Sequence, residues 1–344
     1  MNLHSFSTVL IIAILSIAGF HPNTQAQFLV KTQNLTENAN IYQPVFNPKE
    51  GAIYVSAARD FDTKGCIYKL DAETLEVLDS INIPGSAPLG LGINVSTQTL
   101  YSTNSITGLV TAINLKTGEI NHISSTVPGS SAREVIVDEK RNLIYITSVP
   151  AGGGIWVIDG STNTFDHYIY NLGKTITGAD LDVENNILYA TAMGDDEIVL
   201  VDAQTGIIQK KLEAHGDRPT NVVFDKANNR LLIANQGSGN LTIIDAEKGD
   251  LIKAIPTGAG ALGVDYDPQR ELIYVANRKE RTVNVIDGNT LEITETFEMH
   301  GLPNTFVINQ ETGTFWVTNK DVSKRGSKKK KPAKNGDSVS RFEI

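Results

Sequence analysis

Sulfur is scarce in this chain. Cys66 is the only cysteine among 344 residues, so the protein can form no disulfide within the chain and no paired-cysteine metal site. We expect Cys66 to be a small buried side chain, because it begins the strand-like run CIYKL at 66–70. Stability must therefore come from packing.

Recognisable catalytic motifs are also missing. The sequence contains no G-x-S-x-G nucleophile motif, and the glycine-rich stretches at 151–154 and 237–240 are typical of turns between strands. None of the six histidines has a second histidine at the spacing of metal ligands. We therefore expect a binding protein rather than an enzyme, and we predict no cofactor and no metal.

Long hydrophobic runs are absent except for one near the start. Val9 to Phe20 form a run of twelve apolar residues, shorter than the roughly 20 that a membrane-spanning helix needs. A polar stretch follows and ends at the small residue Ala26. We predict that residues 1–26 are an export signal cleaved after Ala26, that the protein is periplasmic or secreted, and that it has no transmembrane span. An uncleaved anchor is the alternative.

What the sequence has instead is an internal repeat. Short β-rich segments recur at spacings of 42 to 47 residues. They are IYVS at 53–56, LYST at 100–103, IYIT at 144–147, LYAT at 188–191, LLIAN at 231–235, IYVAN at 273–277 and FWVTN at 315–319. Further β-rich runs flank each segment, so each unit has four short strands, which is typical of a propeller blade. The sequence predicts an all-β fold, with residues 27–344 forming one seven-bladed β-propeller.

The two ends of the chain predict how the ring closes. Residues 339–343 align with the third strand of a blade, so blade seven lacks its outermost strand. The β-rich stretch at 28–32 precedes the first complete blade and has no other partner. We predict that this N-terminal strand completes the last blade and covers its exposed edge.

These segments carry a resemblance. IYVAN and VNVIDGNT resemble the YVTN repeat family of β-propellers, and residues 40–344 are similar to the periplasmic YncE-like proteins of bacteria. The likeness is best in GCIYKLDAETLEV, INVSTQTLYSTNSITGLVTAINLKTGEI and PNTFVINQETGTFWVTNK. The resemblance implies a propeller that associates with single-stranded DNA, and the Arg133-Glu134 pair matches an element of the family pattern.

Repeated polar residues point to scaffold rather than to a site. One repeat position, just after the second strand, holds Asn104, Asn235, Asn277 and Asn319, and another holds Asp71, Asp159, Asp202, Asp245 and Asp287. We predict that both sets are turn-formers, because Asn and Asp side chains bond to their own backbone. A functional site would instead break the repeat.

The clearest break is a basic insertion at 320–337 in blade seven. Its seven cationic residues are Lys324, Arg325, Lys328, Lys329, Lys330, Lys331 and Lys334, and without them the formal net charge would fall from −9 to −16. Such a segment attracts polyanions such as nucleic acid, anionic lipid or acidic polysaccharide. The alternative is a solvated loop that has no ligand.

The insertion should share a face with the starts of the first strands, where the central channel opens. Candidate ligand-binding residues on that face are Arg133, Glu134, Arg218, Arg278 and Asn304. Arginine suits carboxylate and phosphate groups because its donors form a planar fork. The alternative for Arg133 and Glu134 is that they only pair with each other across the channel.

We expect a monomeric, non-enzymatic protein that binds a ligand at the channel mouth. Single-stranded nucleic acid or another polyanion is the leading partner. Two alternatives stay open: a metal-dependent propeller hydrolase or lactonase, and a scaffold whose rim binds a protein partner.

Overall fold

The computed structural model describes residues 28–35, 39–58, 64–149, 153–320 and 336–344. Within these ranges the chain forms 28 strands and no helix. The strands make seven antiparallel sheets of four strands each, and the inner strand of each sheet contacts the inner strands of both neighbours. The predicted seven-bladed β-propeller is confirmed.

Each blade runs from an inner strand beside the central channel to an outer strand at the rim. Blades one to three are β2 (Ile41–Asn47), β3 (Ala52–Ala57), β4 (Cys66–Asp71), β5 (Val77–Asn82); β6 (Leu91–Asn94), β7 (Thr99–Asn104), β8 (Leu109–Asn114), β9 (Ile120–Ser124); and β10 (Ala132–Asp138), β11 (Leu143–Ser148), β12 (Gly154–Asp159), β13 (Thr164–Ile169). Blades four and five are β14 (Ile176–Asp182), β15 (Ile187–Ala192), β16 (Glu197–Asp202), β17 (Ile208–Glu213); and β18 (Pro219–Asp225), β19 (Arg230–Asn235), β20 (Asn240–Asp245), β21 (Leu251–Pro256). Blade six is β22 (Ala261–Asp267), β23 (Leu272–Asn277), β24 (Thr282–Asp287), β25 (Ile293–Glu298), and blade seven is β26 (Leu302–Ile308), β27 (Phe315–Lys320), β28 (Ser338–Glu343) with β1 (Phe28–Asn34) outermost.

The core lies between blades. Second strands such as β3 are buried along their whole length, whereas the outer strand β5 is almost entirely exposed. Strands buried on both faces need continuous apolar runs, which is why the second strands carry the repeat. Seven hydrophobic clusters form among the described residues, one at each junction between neighbouring blades. Each blade is thus stabilised by its neighbours.

The predicted closure is also confirmed. β1 pairs antiparallel with β28, from Phe28 opposite Glu343 to Asn34 opposite Ser338. The Thr32 and Ser340 hydroxyls lie 2.9 Å apart, and the Lys31 ammonium donates to the Thr74 carbonyl of blade one. The N-terminal strand therefore covers the edge of blade seven and ties it to the next blade.

The repeated aspartates act as predicted. Asp287 is typical, since its carboxylate accepts hydrogen bonds from the backbone amides of Asn289 and Thr290 at 2.9 and 2.7 Å. Bonds of this kind lower the pKa of the repeated aspartates. Cys66 and Trp316 are buried, as the sequence predicted for Cys66.

The repeated asparagines need a correction. Asn104 caps a turn by accepting from two backbone amides. Asn235, Asn277 and Asn319 are as fully buried as Asn104, but their side-chain oxygens accept no such bond. Their side-chain amides donate inside the blade instead, as Asn235 does to the Thr242 hydroxyl at 2.9 Å and Asn319 does to the Ser340 hydroxyl at 3.0 Å. These three residues are structural, as predicted, because they tie the second strand to the third rather than because they form turns.

Two predicted segments lie outside the described residues: the export signal at 1–26 and the seven cationic residues of the basic insertion. The ends of the insertion are described, and Lys320 pairs with Leu302 at the start of the inner strand β26. The insertion therefore leaves blade seven on the face where the inner strands begin. In the part of the chain that the structure describes, no helix could cross a membrane.

Candidate functional site

The site lies where the inner strands begin. The pairing register shifts between Ala132 and Val135 in β10 and between Ile41 and Pro44 in β2. Similar shifts occur in β14, β18, β22 and β26, so the bulge is a repeated feature and the site depends on which residues occupy it. The bulges in β10 and β2 place Arg133-Glu134 of blade three and Tyr42-Gln43 of blade one at the same level of the channel.

Two guanidinium groups and one phenol meet at the mouth of the channel. The Arg133 guanidinium donates to the Tyr42 hydroxyl at 3.0 Å and lies 5.9 Å from the centre of the Tyr42 ring. Arg278 follows β23, is half-buried, and is close enough to interact electrostatically with Tyr42 and Arg133. Burial lowers the pKa of the Arg278 guanidinium, Tyr42 opposes this, and the Arg133 charge adds to the lowering. Neither arginine forms a salt bridge with a described carboxylate, so the mouth has two cationic groups with free donors.

Neighbouring blades hold the mouth residues in place. The Thr103 hydroxyl of blade two donates to the Arg133 carbonyl, and the Thr318 hydroxyl of blade seven donates to the Tyr42 carbonyl. A Cβ atom on Gly90 would overlap the Arg133 carbonyl oxygen, so glycine is needed at this approach. The positions of Arg133 and Tyr42 are thus set by the packing of the ring.

Below the mouth the channel is acidic. A cavity of about 570 Å³, counted with its part open to solvent, is lined by Glu134, Asp180 and Asp265 together with Gln43 and Asn221. Glu134 accepts a hydrogen bond from the Asn221 amide at 3.2 Å. Glu134, Gln43 and Asn221 also line the smaller cavity at the mouth, which includes Tyr42 and Arg133. The two cavities therefore adjoin each other along the channel.

Desolvation dominates the titration of these acids. It raises the pKa of Glu134 to about 7, and the Asp180 charge adds to the effect while the Arg133 charge opposes it. Desolvation likewise raises the pKa of Asp265 to about 7, aided by the charges of Asp180 and Asp267. The pKa of Asp180 is also raised by burial. The channel acids are thus destabilised when ionised.

This predicts an unusual pH dependence of stability. Folded Asp265 binds its proton more tightly than the unfolded chain, so its contribution to the free energy of unfolding falls as the pH rises from about 4 to about 7. We expect Asp265→Asn to raise the free energy of unfolding by about 1–3 kcal/mol near pH 8 and to change it little near pH 4. Urea unfolding at both pH values measures the difference.

Asp287→Asn is the matched control, because hydrogen bonds in its turn lower the pKa of Asp287. This control should be slightly less stable than the unchanged protein near pH 8. An Asp265→Asn protein with lower stability than the unchanged protein near pH 8 would contradict the assignment of a destabilising charge.

Comparisons with known proteins agree with this architecture. The profile of the YncE-like β-propeller family matches residues 154–329. The uncharacterized protein YncE of Salmonella typhi is 32% identical over 304 residues, which cover 85% of this chain and 86% of that protein. The uncharacterized protein YncE of Escherichia coli is 31% identical over 224 residues, covering 60% and 62%. The chain belongs to the YncE-like β-propeller family.

In this YncE-like propeller the remaining predicted residues take different positions. Arg218 precedes β18 and is exposed, and its backbone amide donates to Asp196 at 2.7 Å. Asn304 is fully buried in β26, where its amide donates to the Ile41 carbonyl at 3.3 Å. Neither residue lines the two channel cavities. Arg278 does not line them either, but it interacts electrostatically with Arg133 and Tyr42 beside the mouth. The structure brings together Arg133 and Glu134, with Arg278 near them, but not Arg218 and Asn304.

Sequence reasoning missed Tyr42, Asp180 and Asp265. Tyr42 occupies in blade one the position that Arg133 occupies in blade three, so an alignment of the inner strands would have found it. Among the residues described, Arg133 and Glu134 form no salt bridge, and Arg133 bonds to Tyr42 instead. Direct pairing is therefore not what holds Arg133.

The metal-dependent alternative gains no support from ligand geometry. Across residues 28–35, 39–58, 64–149, 153–320 and 336–344, no group of three or more His, Cys, Asp or Glu side chains has an arrangement that could hold a metal ion.

Proposed function

We propose that this YncE-like propeller is a non-enzymatic binding protein whose channel mouth holds anionic groups of its ligand. The observation that carries the proposal is the pair Arg133 and Arg278, two neighbouring guanidinium groups with free donors beside Tyr42. Guanidinium groups recognise phosphate and carboxylate oxygens through paired hydrogen bonds. A fixed anion site fits this arrangement better than a structural ion pair does.

We propose single-stranded DNA as the candidate polyanion. Tyr42 is half-buried at the mouth and supplies an aromatic side chain of the kind on which bases stack, which the basic insertion lacks. The seven cationic residues of the insertion would add long-range attraction. The acids of the channel would repel phosphates, so the strand would cross the mouth without threading the ring. Export through residues 1–26 would place this binding in the periplasm or outside the cell.

Fluorescence anisotropy with a labelled oligothymidylate, measured at several salt concentrations, tests the proposal. We expect the logarithm of the affinity to fall linearly with the logarithm of the salt concentration, by about 0.7 for each phosphate neutralised. Replacing Lys328, Lys329, Lys330 and Lys331 by alanine should make this slope shallower. Absence of binding at about 50 mM salt would overturn single-stranded DNA as the ligand.

A further inference from the structure

Two acidic side chains in the channel break the repeat. Asp180 and Asp265 each lie two residues before the aspartate that ends their inner strand. The corresponding residues of the other five blades are apolar or glycine: Val45, Gly92, Ile136, Val223 and Val307. The fold therefore does not require a carboxylate here.

The protein leaves these charges largely uncompensated. Asp180 accepts backbone hydrogen bonds from Leu181 and Phe224, both at 2.8 Å. One oxygen of Asp265 accepts from the Tyr266 amide at 2.8 Å, and the other has no donor among the described residues. No described Lys or Arg forms a salt bridge with either aspartate or with Glu134. These carboxylates are half-buried, and partial burial without a cation is costly, so a cation from outside the chain would stabilise them.

The opposite charges lie at different depths of the channel. Three residues of an inner strand separate Arg133 from the level of Asp180 and Asp265, and the extra residue of the bulge in β10 shortens the rise between them to about 7 Å. Glu134 lines both cavities and lies between these two levels. A ligand that enters from the mouth would meet the guanidinium groups first and the carboxylates below them.

We propose that the channel binds a zwitterion, with a carboxylate on Arg133 and Arg278 and a primary ammonium group among Glu134, Asp180 and Asp265. The separation of the two levels fits an ω-amino acid with a chain of about five methylene groups. This inference rests on the proposed anion site at the mouth and adds a cationic end to its ligand. The ammonium group supplies the missing counter-charge, and the chain between the two ends occupies the channel at the level of Gln43 and Asn221.

Isothermal titration of the full chain with three related compounds tests this proposal. ε-Aminocaproate carries both charged groups, caproate lacks the ammonium group, and hexylamine lacks the carboxylate. We expect ε-aminocaproate to bind at least about tenfold more tightly than either of the other two. In Asp180→Asn/Asp265→Asn this advantage over caproate should disappear, while caproate itself binds equally well or better. If the double variant fails to fold, the single variant Asp265→Asn replaces it, because it keeps the hydrogen bonds of Asp180. This single variant should lose part of the advantage of ε-aminocaproate over caproate.

The outcomes separate the two proposals. Equal affinities for ε-aminocaproate and caproate, with caproate binding lost in Arg133→Ala/Arg278→Ala, would overturn the zwitterion and keep the anion site. Hexylamine binding as tightly as ε-aminocaproate would also overturn the zwitterion. If caproate binding were unchanged in the double arginine variant, the anion site itself would be wrong. A dissociation constant above about 10 mM for ε-aminocaproate would overturn the zwitterion proposal.

Discussion

Removing residues 28–34 is expected to lower the thermal midpoint of the protein by about 10 °C. The deletion removes six cross-strand residue pairs between β1 and β28. At about 1 kcal/mol for each backbone hydrogen bond, the loss is about 6 kcal/mol, and about 2 °C per kcal/mol applies to a domain of this size. It also leaves β28 as a bare edge that can pair with other chains. Differential scanning calorimetry of the shortened protein measures the effect.

The double variant Leu29→Ser/Val30→Ser is the control for this deletion. Both side chains are 46% exposed, so the variant loses little buried apolar surface and keeps the backbone pairing with β28. Its midpoint should stay within about 2 °C of the unchanged protein. A deletion that leaves the midpoint unchanged would contradict closure by β1. If the thermal midpoint of the control falls as far as that of the deletion variant, side chains rather than strand pairing stabilise the closure.

Replacing both Arg133 and Arg278 by alanine is expected to weaken single-stranded DNA binding at low salt by about a hundredfold. Each charge-assisted hydrogen bond to phosphate contributes about 1.5 kcal/mol or more, so losing two costs about 3 kcal/mol. Tyr42 also loses its hydrogen bond from Arg133 and becomes less fixed. Fluorescence anisotropy at constant salt measures the change.

Arg218→Ala/Arg281→Ala is the matched control, because it removes the same net charge from exposed turns on the same face. Both arginines are exposed, whereas Arg133 and Arg278 are half-buried and interact with Tyr42 and with each other. We expect this control to weaken binding by less than about fivefold, through long-range attraction alone. Equal losses in the two double variants would mean that net charge, and not a site at the mouth, determines affinity.

The fold was predictable because it depends on features that recur. The apolar second strands recur at a nearly constant spacing, and each aspartate that follows a third strand forms the same turn. Closure was predictable because blade seven lacked its outermost strand and the β-rich stretch at 28–32 had no other partner. The bonding of Asn235, Asn277 and Asn319 was not predictable, because the turn-capping Asn104 has the same repeat position and the same burial, so neither property tells which partner the side chain takes.

The site was only partly predictable, because it depends on where the repeat is broken in three dimensions. Tyr42 and Arg133 are 91 residues apart in the sequence and meet only in the closed ring, where both stand near the start of an inner strand. Asp180 and Asp265 each lie two residues before another aspartate, Asp182 or Asp267, from which composition alone does not separate them. Burial gives them a raised pKa, and burial follows from closure of the ring.

The most direct test of the anion site is a crystal structure of the protein bound to a short oligothymidylate. We predict that a phosphate group lies within hydrogen-bonding distance of both Arg133 and Arg278, at the channel mouth and beside Tyr42. Density for the DNA only at the rim, or on the opposite face of the ring, with both arginines free of phosphate, would contradict the proposed site.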